Sequence, residues 1–413
     1  MNKLVLCVLI FVYLFIPTIC TAQQYTRKEL PALLKMIEAA PPDTTKIYLQ
    51  LQAAYIYIGR AGTAQSDMDS ALILINHAAL LNEKKPVQTQ ILYGRVLKGQ
   101  ILLEQDKFAE AKKVLLSVAR DYQDIGEEEK SILPIELYAR YLPHSSSEKK
   151  IYLRQAELAY RALGKVKKAL GIRLHVVGHQ YSSGLLDSAL VNVELLLKEW
   201  KDVKGPEVAQ VYSLRAAIHT YYGNYEAVLE DQLQGLKIID SKEWADSDVE
   251  YAKSLLHFAY TDIGRAYYQL KNYKKATEWY LLGLEQAKIR YQNYIYANCL
   301  AYLVKSMIYE GQAREALNLV QSVSRQFLPM SEYEKQGLAF AFANCYDALH
   351  QDALAKENYI VAIGFGKVAN WGDHNEEYLN AEADFYLSRG NYKDAKTAAL
   401  KVISIDDSTT TSV

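Results

Sequence analysis

Between His257 and Leu284 the chain reads HFAYTDIGRAYYQLKNYKKATEWYLLGL. Tyr260, Ile263, Tyr267 and Tyr280 recur at three- and four-residue steps within their segments, so each segment forms a helix with one buried face. Lys271-Asn272 is the turn between them, which makes the two helices antiparallel neighbours. Gly264 and Ala276 fall where such helices cross, and a larger side chain would hold the backbones apart there.

The same frame, with Tyr273 as its phase mark, extends along the chain. Downstream, Gln312-Ala313 with Ala316, Asp352 with Ala355 and Tyr359, and Asn391-Tyr392 with Ala395 follow at steps of 40, 39 and 40. Ala343 with Tyr346 and Ala383 with Tyr386 repeat the small-x-x-Tyr element of the preceding helix. Upstream, Asn224-Tyr225 with Tyr212 and Ala216 lies 48 residues before, a link lengthened around Ser241 to Ser247. Leu186 with Ala189 is 39 earlier, and Phe108 with Ala111 and Gly99 is 78 earlier, which leaves room for a degenerate unit over residues 131–163. Met68 with Ala71 and Gly59 stands 40 further back. The spacing predicts nine helical pairs.

These motifs resemble the tetratricopeptide pattern, W-x2-L-G-x2-Y followed by A-x3-F. The resemblance covers nearly all of Thr44 to Ile405 and implies an all-α, right-handed superhelical solenoid of about nine helix-turn-helix units. The period of 39–40 exceeds the usual 34, so helices or linkers are longer than consensus. Composition agrees with a helical chain. Of 413 residues only 20 are Gly and 9 Pro, too few for the turns of a β-sandwich or barrel. The 33 tyrosines against 9 phenylalanines are expected to fill the large slots between helices, with hydroxyls reaching solvent at the rim. A net charge of −1 gives no sign of a nucleic-acid partner or of a polybasic membrane surface.

Residues 1–22 read as a secretory signal peptide: Lys3, an apolar run from Leu4 to Ile16, then small residues before a cut after Ala22. The run is shorter than the ~20 residues a spanning helix needs. An uncleaved anchor or a lipid on Cys20 are the alternatives, although Ile19 is a poor residue before a lipidated cysteine. Membrane contact is then expected only through this segment if it is uncleaved, with the rest periplasmic. Residues 23–43 form a helical lead-in, 44–405 the array, and 406–413 a polar tail. Cys299 and Cys345, the two cysteines of the body, are expected to be buried.

Pro42-Asp43-Thr44-Thr45-Lys46-Ile47, Tyr55-Ile56-Tyr57 and Ser66 to Leu72 resemble the start of extracytoplasmic tetratricopeptide sensor arms of Bacteroidetes histidine kinases and regulators. That likeness implies a sensory role. The sequence carries no kinase phospho-acceptor region, nucleotide-binding glycine motif or helix-turn-helix, so the chain reads either as naturally short or as an arm cut from its output domain.

Catalytic and metal motifs are absent from the reading. His175 and His179 have metal-ligand spacing but lack the glutamate of H-E-x-x-H and a third ligand, and read as surface histidines. Gly94 and Gly99 mimic a phosphate-binding loop, but Gln100-Ile101 stands where Lys-Ser/Thr is required. Ser182-Ser183-Gly184 and Ser145 to Ser147 are turns or caps, and Glu127 to Glu129 is a solvated run at a helix start. No enzyme activity, cofactor or metal is expected.

In tetratricopeptide folds the first helix of each unit lines the concave face. Carried onto this chain, that phase implies a groove of Tyr221, Arg265, Tyr268, Asn298, Lys305, Tyr309, Phe340, Asn344 and Asp347. Cations and amides interleaved with aromatics suit a peptide, whose backbone needs amide partners and whose carboxylate needs a cation. The set partly resembles the carboxylate-gripping grooves of some tetratricopeptide domains. The reading is therefore a non-enzymatic scaffold for a peptide or protein partner in the envelope, in its sharper form a sensory arm. The alternative is glycan binding, since starch-capture lipoproteins also use tetratricopeptide-like helices; against it stand four tryptophans and no large loop-rich insertion.

Overall fold

A computed structural model describes residues 30–59, 65–84, 86–143, 146–201, 203, 205–241, 249–289, 293–326, 332–369 and 372–410. The signal-peptide reading and the extended link at 242–248 lie outside the described residues. Nineteen helices are described. A single helix α1 (Leu30–Ala39) is followed by α2 (Thr44–Ile58) with α3 (Gln65–Lys84), α4 (Gln88–Glu104) with α5 (Phe108–Asp124), and α6 (Glu128–Tyr141) with α7 (Ser147–Ala162). Then come α8 (Val166–Ser182), α9 (Leu186–Trp200), and α10 (Glu207–Tyr221) with α11 (Tyr225–Ser241). The remaining pairs are α12 (Val249–Gln269) with α13 (Tyr273–Ile289), α14 (Asn293–Tyr309) with α15 (Ala313–Gln326), α16 (Glu332–Ala348) with α17 (Asp352–Ala369), and α18 (Gly372–Ser388) with α19 (Tyr392–Thr410). The degenerate third unit is α6–α7, and α19 runs helically into the stretch read as a polar tail.

One turn geometry makes the repeat. Lys271 has φ 60°, and its N–H donates to Tyr268 O while the Asn272 N–H donates to Tyr267 O, both at 2.9 Å. These two bonds close the last turn of α12 in a Schellman motif. Asn272 Oδ1 then accepts the Lys275 N–H at 3.3 Å and so caps α13. One asparagine ends the first helix and starts the second. Asn224 and Asn391 do the same, accepting from Ala227 N and Asp394 N after bonding His219 O and Tyr386 O. Left-handed residues occupy the matching place at 106, 184, 223, 311, 350 and 390.

Two compact units emerge, divided at the α8–α9 turn between Ser183 and Gly184. In the first, each core cluster draws on successive helices. Ile47, Leu51, Ile58, Ala71, Ile75 and Leu97 join α2, α3 and α4; Leu92, Leu115, Val118 and Leu137 join α4, α5 and α6. The second unit repeats this scheme, with Tyr280, Leu303, Val320 and Cys345 joining α13 to α16. No pair buries its apolar face alone, so stability comes from stacking. At the crossings, a Cβ on Gly264 would lie 2.7 Å from Tyr280 Cδ1, and one on Gly99 would lie 2.5 Å from Leu115 Cδ2.

Cys299 and Cys345 are fully buried free thiols, and burial pushes each pKa up to about 12. Many tyrosine hydroxyls end on carboxylates of the protein: Tyr160 on Glu136, Tyr138 on Glu148, Tyr359 on Asp347. These hydroxyls, expected to reach solvent at the rim, tie neighbouring helices together instead, while Tyr222, Tyr309 and Tyr392 are exposed. No helix among the described residues is long and apolar enough to cross a membrane.

Candidate functional site

The candidate site lies in the second unit, on first-of-pair helices α12, α14, α16 and α18. Three- and four-residue spacing puts Tyr302, Lys305 and Tyr309 of α14 on one face, and does the same for Phe340, Asn344 and Asp347 of α16. At the centre stands Glu377 of α18. Lys305 Nζ donates to its Oε1 and the Tyr302 hydroxyl donates to its Oε2, each at 2.9 Å. Both oxygens of one carboxylate are thus held, one by a cation and one by a neutral donor.

The walls of this clamp are aromatic. The Lys305 ammonium lies 5.7 Å from the Tyr268 ring centroid, 5.9 Å from that of Tyr302 and 5.8 Å from that of Phe340. Rings at that range add cation–π attraction to the ion pair. The Arg265 guanidinium lies over the Tyr302 ring too, 5.8 Å from its centroid. Burial, and next the Glu377 charge, push the Tyr302 pKa well above its usual value, so its hydroxyl remains a donor. Burial likewise raises Tyr268. Beside the clamp, Tyr309 stacks on Tyr273 with centroids 4.5 Å apart, and Tyr268 meets both at 6.0 and 5.5 Å. Tyr309 is 59% exposed, which makes this trio an accessible aromatic platform.

The sequence-derived groove is corrected at Phe340 and Lys305, and several of its other residues have partners within the protein. Phe340 is fully buried, its ring stacked 4.0 Å from Tyr378, so it is a wall of the core and not a contact surface. Lys305 is not an open cation, because Glu377 holds it. Arg265 pairs with Asp262 at 3.6 Å, Asn344 donates its side-chain amide to Phe340 O at 2.7 Å, and Asp347 binds Arg389 at 2.8 Å. Tyr221 ends α10 and meets Tyr222 edge-on. The Asn298 side chain lies outside the described residues. Tyr268, Lys305 and Phe340 do converge, and Tyr309 joins them through Tyr268.

Tyr302, Tyr273, Glu377 and Tyr378 were missed. A signal for Glu377 existed: it precedes the left-handed Gly390 by 13 residues, as Asn298 precedes Gly311. The repeat phase that selected Asn298 selects Glu377 one repeat after the next.

His175 and His179 are half-buried, where the sequence suggested surface residues. Burial, and then the charges of Arg140 and Lys149, lower the His175 pKa, and burial lowers that of His179. Among the described residues, no group of three or more His, Cys, Asp or Glu could hold a metal ion.

No protein-family model matches the chain, and no curated protein matches it. Solved structures do. The apo form of RapI is 16% identical with a TM-score of 0.57, over 89% of this chain and 99% of RapI. The apo form of the quorum sensor NprR from B. thuringiensis is 16% identical with a TM-score of 0.57, over 87% of this chain and 99% of NprR. A Rap protein complexed with competence and sporulation factor is 14% identical with a TM-score of 0.50, over 89% and 99%. At these identities the likeness shows the fold, an all-α tetratricopeptide-like helical repeat.

Proposed function

We propose that this chain is a non-enzymatic helical-repeat scaffold that binds a peptide or protein partner, with a carboxylate of the partner seated between Lys305 and Tyr302. The observation that carries the reading is the grip on Glu377, since a clamp that holds one carboxylate by both oxygens suits another. The exposed platform of Tyr268, Tyr273 and Tyr309 beside it would take an apolar or aromatic side chain of the same partner. NprR is described as a quorum sensor, and a Rap protein of the same fold has been captured with competence and sporulation factor, which supports a binding role for such arrays. In the fuller form of the proposal, residues 1–22 direct the array across the inner membrane, and the groove serves as the sensory arm of an envelope signalling system.

The test is binding of degenerate peptide pools, made with a free C-terminal carboxylate or with an amide, alongside a panel of oligosaccharides. The free-acid pool should bind, and Lys305→Met should weaken it about 10-fold or more, as expected for loss of a charge-assisted bond. Retention of oligosaccharides with no retention of either peptide pool would replace this reading with glycan binding. Cell fractionation with antibody to the array would check the envelope placement, which a cytoplasmic product would refute.

A further inference from the structure

Glu377 is an unusual partner for Lys305. The two are 72 residues apart, on α14 and α18, so their bridge passes over the intervening α16–α17 pair. Both side chains keep some contact with solvent, at 21% for Lys305 and 28% for Glu377. Neither is locked in a dry core, so exchange of one carboxylate for another needs no unfolding of the stack.

Resting on the peptide-binding reading above, we infer that Glu377 is an internal occupant of the clamp, which an incoming carboxylate must displace, and that its displacement loosens the first half of α18 from α14. An incoming carboxylate in the same place remakes the same two bonds, so Glu377 offsets part of what the clamp contributes, and the rest of the partner tips the exchange. The apparent affinity is then the intrinsic one scaled by the fraction of molecules in which Glu377 is released. Ligand occupancy and the position of early α18 become two readings of one equilibrium.

The contacts of α18 say how far the loosening extends. Tyr378, next to Glu377 and stacked on Phe340, moves with the loosened part, whereas the Phe385 ring meets Tyr359 at 5.6 Å and just past the helix end Arg389 binds both Asp347 at 2.8 Å and Asp352 at 2.6 Å. The second half of α18 therefore stays on α16 and α17, and the change is confined to the turns around Glu377.

Two variants and one exchange experiment test this. Glu377→Gln keeps the shape and the bond from Tyr302 but loses the charge, so it should bind the free-acid peptide pool about 10-fold more tightly than wild type, for a released fraction near one tenth. The amide pool should bind both proteins alike. Hydrogen exchange of the first half of α18 should quicken in wild type when the free-acid pool is added, and should already be fast in Glu377→Gln. Equal affinity of the two proteins for the free-acid pool, or α18 exchange unmoved by it, would overturn the displacement while leaving the peptide reading intact. If neither pool binds, the peptide reading fails and the latch is judged alone, with potassium acetate against potassium chloride at equal ionic strength. Acetate that quickens α18 exchange in wild type but not in Lys305→Met supports the latch; no difference between the salts sinks it. The acetate arm on wild type also decides the matter should Glu377→Gln fold poorly.

Discussion

The two units handle buried charge differently although they are built from the same repeat. In the first, ion pairs stay on one helix or between near neighbours: Arg140 with Glu136 one turn away, Arg161 with Glu157, and Lys112 of α5 with Glu148 of α7. Tyr160 of α7 adds its hydroxyl to Glu136, and Tyr141 of α6 adds its own to Glu104 of α4. In the second unit Lys305 reaches past a whole pair to Glu377. Local pairs hold a stack in register, while a pair that skips a repeat also reports how the repeats are stacked.

The sharpest way to break this contrast is to remove one cation from each unit. Glu136 is 6% exposed, so Arg140→Met strands a buried charge and should destabilise the first unit by about 3 kcal/mol. Glu377 can turn toward solvent, so Lys305→Met should cost only about 1 kcal/mol. Urea unfolding of both variants gives the comparison, and equal losses would mean that the long bridge is as structural as the local one.

The helix crossings give a second comparison of similar size. Gly264→Ala drives a Cβ into the ring of Tyr280, which is fully buried and cannot turn aside, and should cost about 2 kcal/mol. Gly99→Ala meets Cδ2 and Cγ of Leu115, which is equally buried but is a smaller side chain with another staggered rotamer to adopt, and should cost about 1 kcal/mol. Both figures are net of the roughly 1 kcal/mol that Ala gains over Gly in a helix. Reversal of the order would show that the first unit is the more tightly packed of the two.

Acid should weaken the first unit selectively through His175. Burial and the nearby Arg140 and Lys149 charges keep its imidazole neutral when folded, while in the unfolded chain it protonates near pH 6.5. Below that pH the unfolded state binds more protons, so stability falls as pH falls, by up to about 1.4 kcal/mol per pH unit for this group. His175→Gln should flatten the slope between pH 6.5 and 5. An unchanged slope would place the acid sensitivity elsewhere.

Most of the helical frame was legible because each turn is written in two or three adjacent residues. Asn272-Tyr273 marks a cap and the first residue of a helix at once, and recurs as Asn224-Tyr225 and Asn391-Tyr392. The α6–α7 pair was the hardest to read, since α6 carries Pro134 in its interior, with no N–H for the helix ladder there, and its burial comes from contacts with α5 and α7. At the site, periodicity found the right faces but not the partners. Lys305 looked open because its counter-charge lies 72 residues away, and no local pattern encodes such a pairing. Phe340 looked like a contact because the repeat phase cannot tell that Tyr378 covers it.

The smallest effects are expected at the turns, where both units use one backbone geometry with different residues. Gly223, Gly311 and Gly390 adopt the left-handed conformation freely, but Asp106 in the first unit and Lys271 and His350 in the second hold it with a Cβ. An L-residue there costs roughly 1–2 kcal/mol, and the extra freedom of Gly in the unfolded chain gives back about 0.5–1. Lys271→Gly should therefore stabilise the second unit by about 0.5 kcal/mol in urea melts. Asp106→Gly should give less, because a short polar side chain already tolerates this region. A loss of stability in Lys271→Gly would mean that the lysine contributes through its side chain, and that the second unit depends on charge even at its turns.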